Sequence, residues 1–131
     1  MNAMKNRVQL IGRLGQDPEV RTLNSGRMVA QFSLATSEVY KNSAGERVQD
    51  TQWHQVIAWG KLAEISENLL IKGQEVVVEG KISYRNYEDK NGIKRYVTEI
   101  IASDIMLVGK RLKEKGSEVA EQEAAYEELP F

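Results

Sequence analysis

The amino-acid sequence predicts an all-β fold, a small barrel of five strands with one helix between the third and the fourth. Three observations point there. Apolar residues recur with a period of two over most of the first 109 residues, as in half-buried strands. That period is replaced once, over residues 61–72, by the i, i+3, i+4, i+7 spacing of an amphipathic helix. Breaks containing glycine, asparagine or proline separate the segments. With 131 residues, 41% of them apolar, the chain has material for one core and little else.

Lys5–Leu14 reads as the first strand, with Val8, Leu10, Gly12 and Leu14 alternating against Arg7, Gln9, Ile11 and Arg13. Asp17-Pro18 breaks it, and Glu19–Leu23 extends briefly before the Asn24-Ser25-Gly26 turn. The second strand, Met28–Thr36, sets Met28, Ala30, Phe32 and Leu34 on one face, and Lys41–Glu46 reads as a loop. The third strand is Thr51–Trp59. In the helix, Lys61–Lys72, the residues Leu62, Ile65, Ser66 and Leu69 share a face, and Gly73 is placed to stop it. A fourth strand runs from about Gln74 to Tyr87, with Val76, Val78, Ile82 and Tyr84 toward the core. Asn91-Gly92 is a hairpin turn, and the fifth strand is about Lys94–Val108. Three strands, one helix and two strands is the element order of the OB-fold, a Greek-key barrel. Periodicity defines elements and not connections, so small barrels of other wiring fit the same pattern.

Composition narrows the chemistry. There is no cysteine and a single histidine, His54, which leaves no basis for a zinc site or a Cys/His nucleophile pair. Gly12, Gly15 and Gly26 do not have the spacing of a phosphate-binding loop. The expectation is a binding protein, not an enzyme, without metal or cofactor. No run approaches ~20 apolar residues, and Met1–Arg13 lacks the apolar stretch of a secretion signal. A cytoplasmic protein without a membrane partner is therefore expected. Net charge is -1 but unevenly spread. Residues 1–109 carry 14 Lys/Arg against 13 Asp/Glu, residues 110–115 are basic, and residues 116–131 hold five glutamates and no base. The division expected is a barrel over 1–109 and a flexible acidic C-terminal tail with a short linker over 110–131.

Trp53 and Trp59 stand six apart on the third strand and share a side, about 20 Å apart if the strand is regular. His54, Val56 and Ala58 occupy the opposite side. Two such rings could fill a core or could form an outer platform for stacked bases. The fourth strand favours the platform, because its non-core face reads Glu79, Lys81, Ser83, Arg85, Tyr87 and so sets an aromatic beside two bases. Arg85 suits either a phosphate or the flat of a base, and Lys81 suits a phosphate. Arg7, Arg13, Arg21 and Lys61 are further candidates near the ends of elements.

These residues also carry a resemblance. Asn6-Arg7-Val8, Leu14-Gly15-Gln16-Asp17-Pro18-Glu19-Val20-Arg21, Leu34-Ala35-Thr36-Ser37-Glu38, Thr51-Gln52-Trp53-His54, Gly60-Lys61-Leu62-Ala63-Glu64, Lys72-Gly73 and Val78-Glu79-Gly80 occur in the order seen in bacterial single-stranded DNA-binding proteins. The sequence resembles that family over about residues 4–109. The resemblance implies sequence-independent binding and protection of single-stranded DNA in replication, recombination and repair, in the cytoplasm at the nucleoid. It implies base stacking at Tyr40, Trp53, Trp59 and Tyr87. Two of these are tyrosines where better-known members have tryptophan, and Trp59 stands where they have phenylalanine. It also implies a homotetramer, with the strand near Lys5–Leu14 and His54 at subunit contacts.

Members of the family usually end in aspartates, an apolar residue, Pro and Phe after a long linker. Here Glu127-Glu128-Leu129-Pro130-Phe131 takes that place, about 17 residues beyond Gly109. Acids flanking Leu129-Pro130-Phe131 suit a basic, apolar pocket on a partner protein of replication, recombination or repair. Two other readings are consistent with the residues: an OB-fold that binds RNA, and a protein adaptor whose tail is the active part.

Overall fold

The computed structural model describes residues 4–109. The element order is β1 (Val8–Leu14), β2 (Glu19–Thr22), β3 (Met28–Lys41), β4 (Arg47–Trp59), α1 (Lys61–Leu69), β5 (Glu75–Glu88) and β6 (Lys94–Leu107). The sheet runs β1-β5-β6-β4-β3-β2, and β1 also pairs β3 through Arg13↔Ala35 and Leu14↔Leu34. That last pairing closes a ring of five strands, β1-β5-β6-β4-β3. β4 and β6 run parallel and the other pairs antiparallel. The helix lies between the third and fourth strands of the ring. The expected OB-fold is thus the fold observed, with β2 as a short addition flanking β3. The tail residues, Glu127–Phe131 among them, lie outside the described residues.

Alternation places the core as expected within the barrel. Ala30, Phe32 and Leu34 of β3, Val56 and Ala58 of β4, Val76 and Val78 of β5 and Ile100 and Ala102 of β6 are buried together. Closure brings backbones close: a Cβ at Gly12 would collide with the Ala35 carbonyl, so only glycine fits where β1 crosses β3. β6 carries one extra residue, Ser103, where the register shifts between Glu79 and Gly80. The Ser103 hydroxyl donates to the Glu79 carbonyl at 3.1 Å, and the bulge bends the arm that follows.

The helix is shorter than its periodicity suggested, ending at Leu69 instead of Lys72. Leu70 leaves it in an extended conformation and is buried in the core, a position the continuing helix would not reach. The Lys72 backbone N–H is taken by the Asp17 carboxylate at 2.8 Å. Gly73, with φ of 87°, therefore serves the turn into β5 and not the helix end.

Two strand pairs outrun the core and form arms. β3 and β4 stay paired to Lys41↔Arg47, and β5 and β6 to Glu88↔Lys94. Both tips use one device. The Asn42 side-chain oxygen accepts from Ala44 and Glu46 N–H groups, and the Asp89 carboxylate accepts from those of Asn91 and Ile93. This extension corrects one expectation: Tyr84, expected to face the core with Val76, Val78 and Ile82, is exposed, because the arm at that point has no core beneath it.

Asp89 also pairs with Arg95 at 3.0 Å. The Ile93 N–H, with help from Arg95 and the Asn91 N–H, holds its carboxyl below the usual value of 3.8. Its stabilisation of the tip is fully present above that value and is lost as pH falls through the lower folded-state value. A carboxyl-carbon NMR titration should find the Asp89 midpoint below 3.8, and an ordinary midpoint would contradict the turn geometry.

Candidate nucleic-acid interface

The ladder registers collect most of the candidate residues on one outer surface. Arg13 is level with Ala35, and Ala35 with Trp53, so Arg13 and Trp53 stand two strand spacings apart, about 10 Å. Ser33 is level with Gln55, Gln55 with Glu99 and Glu99 with Ser83. Gln31, Ile57, Ile101 and Lys81 form the next row, and Trp59, Val29 and Arg21 the one beyond. Arg85 and Tyr87 continue the same side of β5 onto its arm.

Trp53 has 62% of its surface exposed. It is placed by Gly15, just past β1, whose N–H bonds the Ser33 carbonyl at 3.0 Å. A Cβ on Gly15 would run into the Trp53 ring and the Ser33 hydroxyl. The indole therefore rests against bare backbone and keeps its other side toward solvent. Gly15→Ala should push the ring aside, shifting the fluorescence of the free protein and weakening oligo-dT binding by less than Trp53→Ala does. Wild-type emission together with wild-type affinity would show that the contact does not position the ring.

A groove beside Trp53 is lined by Gln31, Gln55, Arg85, Tyr87, Val97 and Glu99. Glu99 is buried at its floor, and its two carboxylate oxygens accept from Arg85 Nε at 2.9 Å and Nη2 at 3.1 Å. This two-pronged pair raises the guanidinium pKa above its ordinary value, the hydrogen bond to Glu99 being the main cause. The Arg85 guanidinium also stands 5.8 Å from the Tyr87 ring centre. With Nε and Nη2 turned to Glu99, Arg85 is better placed to offer a flat face than to capture a phosphate in a two-pronged grip.

The other candidates are placed differently. Trp59 is half-buried, and the Arg27 guanidinium lies over its ring at 4.4 Å. Lys61 opens α1 two residues later and is exposed. Arg7 is tied to Glu79 at 2.7 Å, and their neighbours Gln9, Ile11, Val77, Asp104, Ile105 and Met106 line a separate hollow across β1, β5 and β6. Tyr40, paired with Val48, falls on the opposite side of the β3–β4 arm from Trp53. His54 lies on the core side of β4, half-buried, with Nε2 2.9 Å from the Thr36 hydroxyl. Sequence reasoning missed Gly15, Arg27 and Glu99. No local pattern reveals their roles, because each gains its role from a partner on another element.

Among the described residues no group of His, Cys, Asp and Glu is arranged to hold a metal ion, and no helix is long and apolar enough to cross a membrane. Exposed rings interleaved with bases along the open face of a five-stranded barrel define an OB-fold of the nucleic-acid-binding class. Comparison with known proteins agrees. The model of the Single-strand binding protein family matches residues 5–108, and the chain belongs to that family. It is 48% identical over 105 residues to single-stranded DNA-binding protein 1 of Chlorobaculum tepidum, covering 79% of this chain and 65% of that protein. It is 44% identical over 123 residues to the single-stranded DNA-binding protein of Neisseria meningitidis serogroup B, covering 94% of this chain and 67% of that one. The chain thus spans about two thirds of the length of these relatives. Among solved structures, a Plasmodium falciparum SSB complex with ssDNA matches with a TM-score of 0.73 at 33% identity, covering 79% of this chain and 94% of that one.

Proposed function

We propose that this chain binds single-stranded DNA without regard to sequence and shields it during replication, recombination and repair. The observation that carries the reading is the outer row in which exposed Trp53, seated on Gly15, adjoins the Arg85–Tyr87 groove. In this mechanism Trp53 and Tyr87 stack bases, Arg85 lies against a base or ring, and Gln31 and Gln55 meet base edges. Trp59 stacks once Arg27 swings from its ring to a phosphate, and Tyr40 meets the strand where it passes the β3–β4 arm. Arg13, Arg21, Lys61 and Lys81 neutralise the backbone, with Arg7 at the periphery. The similarity to single-stranded DNA-binding proteins and to an SSB complex with ssDNA supports the choice of single-stranded DNA over RNA.

The chain is further proposed to act as a homotetramer at the nucleoid. Exposed Ile11 and Met106, with Val77, give β1, β5 and β6 an apolar outer patch that a second copy would cover, and His54, beside Thr36, is proposed for a further contact. The segment Glu127-Glu128-Leu129-Pro130-Phe131 is proposed to dock partner proteins through an apolar pocket ringed by bases. Fluorescence anisotropy with labelled dT, rU and duplex oligomers of equal length tests the nucleic-acid reading. The dT strand should bind tightest, and its affinity should fall with salt, the logarithmic slope being about -0.7 per phosphate neutralised. Equal or tighter binding of the duplex or of rU would reject it.

A further inference from the structure

The β5–β6 arm presents Arg85 and Tyr87 on one side, and its other side is unused by the groove. The pairs Tyr84↔Thr98 and Asn86↔Tyr96 bring four side chains together there, beyond the last core pair, Ile82↔Ile100. Both tyrosines are 75% exposed. They stand diagonally across the ladder, a relation that sets residues about 7–8 Å apart. That is roughly twice the ~3.4 Å step between stacked bases, so one flat ring fits between two. A shallow cleft lies at this point, lined by Tyr84, Arg85, Asn86, Tyr96, Val97 and Thr98. The Lys94 ammonium stands 5.9 Å from the Tyr96 ring centre. Two π-faces, an amide and a hydroxyl for base edges and an ammonium for phosphate match a nucleotide. Protein contacts also favour aromatics, so it is the company of the two rings, with Asn86, Thr98 and Lys94 beside them, that points to a nucleotide.

We propose that Tyr84 and Tyr96 form a second base-stacking site, so that a strand leaving the Arg85–Tyr87 groove bends round the arm and touches both its sides. The inference rests on the single-strand-binding reading above. The test is the full-length Tyr84→Ser/Tyr96→Ser double variant, which removes only exposed rings, measured with dT oligomers of about 6 and about 16 nucleotides. The short oligomer should bind as to wild type, and the long one at least about fivefold more weakly, the smallest change expected for one lost stack. Photocrosslinking of the long oligomer carrying 5-iododeoxyuridine should modify Tyr84 or Tyr96 in the wild-type protein. Wild-type affinity for the long oligomer, absence of those adducts, or a changed assembly state of the variant in sedimentation would each overturn the proposal. Trp53→Ala, run alongside, separates the two readings. If it leaves both lengths bound as to wild type, the underlying platform falls; if Trp53 matters and the tyrosines do not, this inference alone falls.

Discussion

Trp53→Ala should weaken binding of an oligo-dT strand by about 1–3 kcal/mol, roughly five- to 150-fold, while leaving the fold intact. Base stacking on an aromatic ring is worth that much, and Trp53 is the more exposed of the two rings beside the groove, the other being Tyr87. The fold should tolerate the change because the ring is mostly exposed and its removal opens no cavity. Substitutions at such surfaces usually stay within about 0.5 kcal/mol of wild-type stability. Trp59→Ala should behave differently, since that ring is half-buried beneath Arg27 and its loss also costs packing. Anisotropy with labelled dT, paired with urea unfolding, separates the two effects. Undiminished affinity of the Trp53 variant would put the platform elsewhere.

The second large effect is expected at Arg85, and it falls on stability first. Arg85→Ala leaves the Glu99 carboxylate at the floor of the groove without either of its charged hydrogen bonds. Removing one member of a buried pair costs roughly 3–5 kcal/mol. Arg85 is itself half-exposed, so water can partly replace it, and about 1–3 kcal/mol is the appropriate figure. The double variant Arg85→Ala/Glu99→Gln should recover most of this loss, because the added Glu99→Gln change removes the stranded charge at nearly constant volume. Tyr87 loses its neighbouring guanidinium in both variants, so dT affinity should stay reduced even where stability returns. Urea midpoints for the single and double variants provide the check. A double variant no more stable than the single one would mean that Glu99 is not held by charge.

The parts of this molecule legible in its sequence are those in which alternation has a core to face. Within the barrel, Val76 and Val78 or Val56 and Ala58 point inward as a period of two requires, and Lys81, Arg85 and Tyr87 point outward. Alternation does not reveal where the core ends. Tyr84 keeps its place in the pattern and is nevertheless in water, because β5 and β6 remain paired beyond Ile82↔Ile100. The helix illustrates the complementary failure: its periodicity runs on past Leu69, but the need to bury Leu70 ends it earlier. Within the candidate site, aromatic and basic residues announce themselves by type. Gly15 does not, since what makes it matter is a tryptophan 38 positions away. Glu99 resembles a surface acid until the parallel register with Gln55 and the reach of Arg85 place it at the groove floor. Arg7 resembles the other basic residues in sequence and is instead engaged by Glu79.

The central claim is that a nucleobase lies on the Trp53 ring. The chain has two tryptophans, so Trp59→Phe leaves Trp53 as the only indole reporter. Titrating this variant with an oligo-dT strand should quench the indole emission strongly and saturably, and added salt should reverse the quenching as the phosphates are released. Anisotropy of the same labelled strand, showing binding while the Trp53 emission stays unchanged, would contradict the claim.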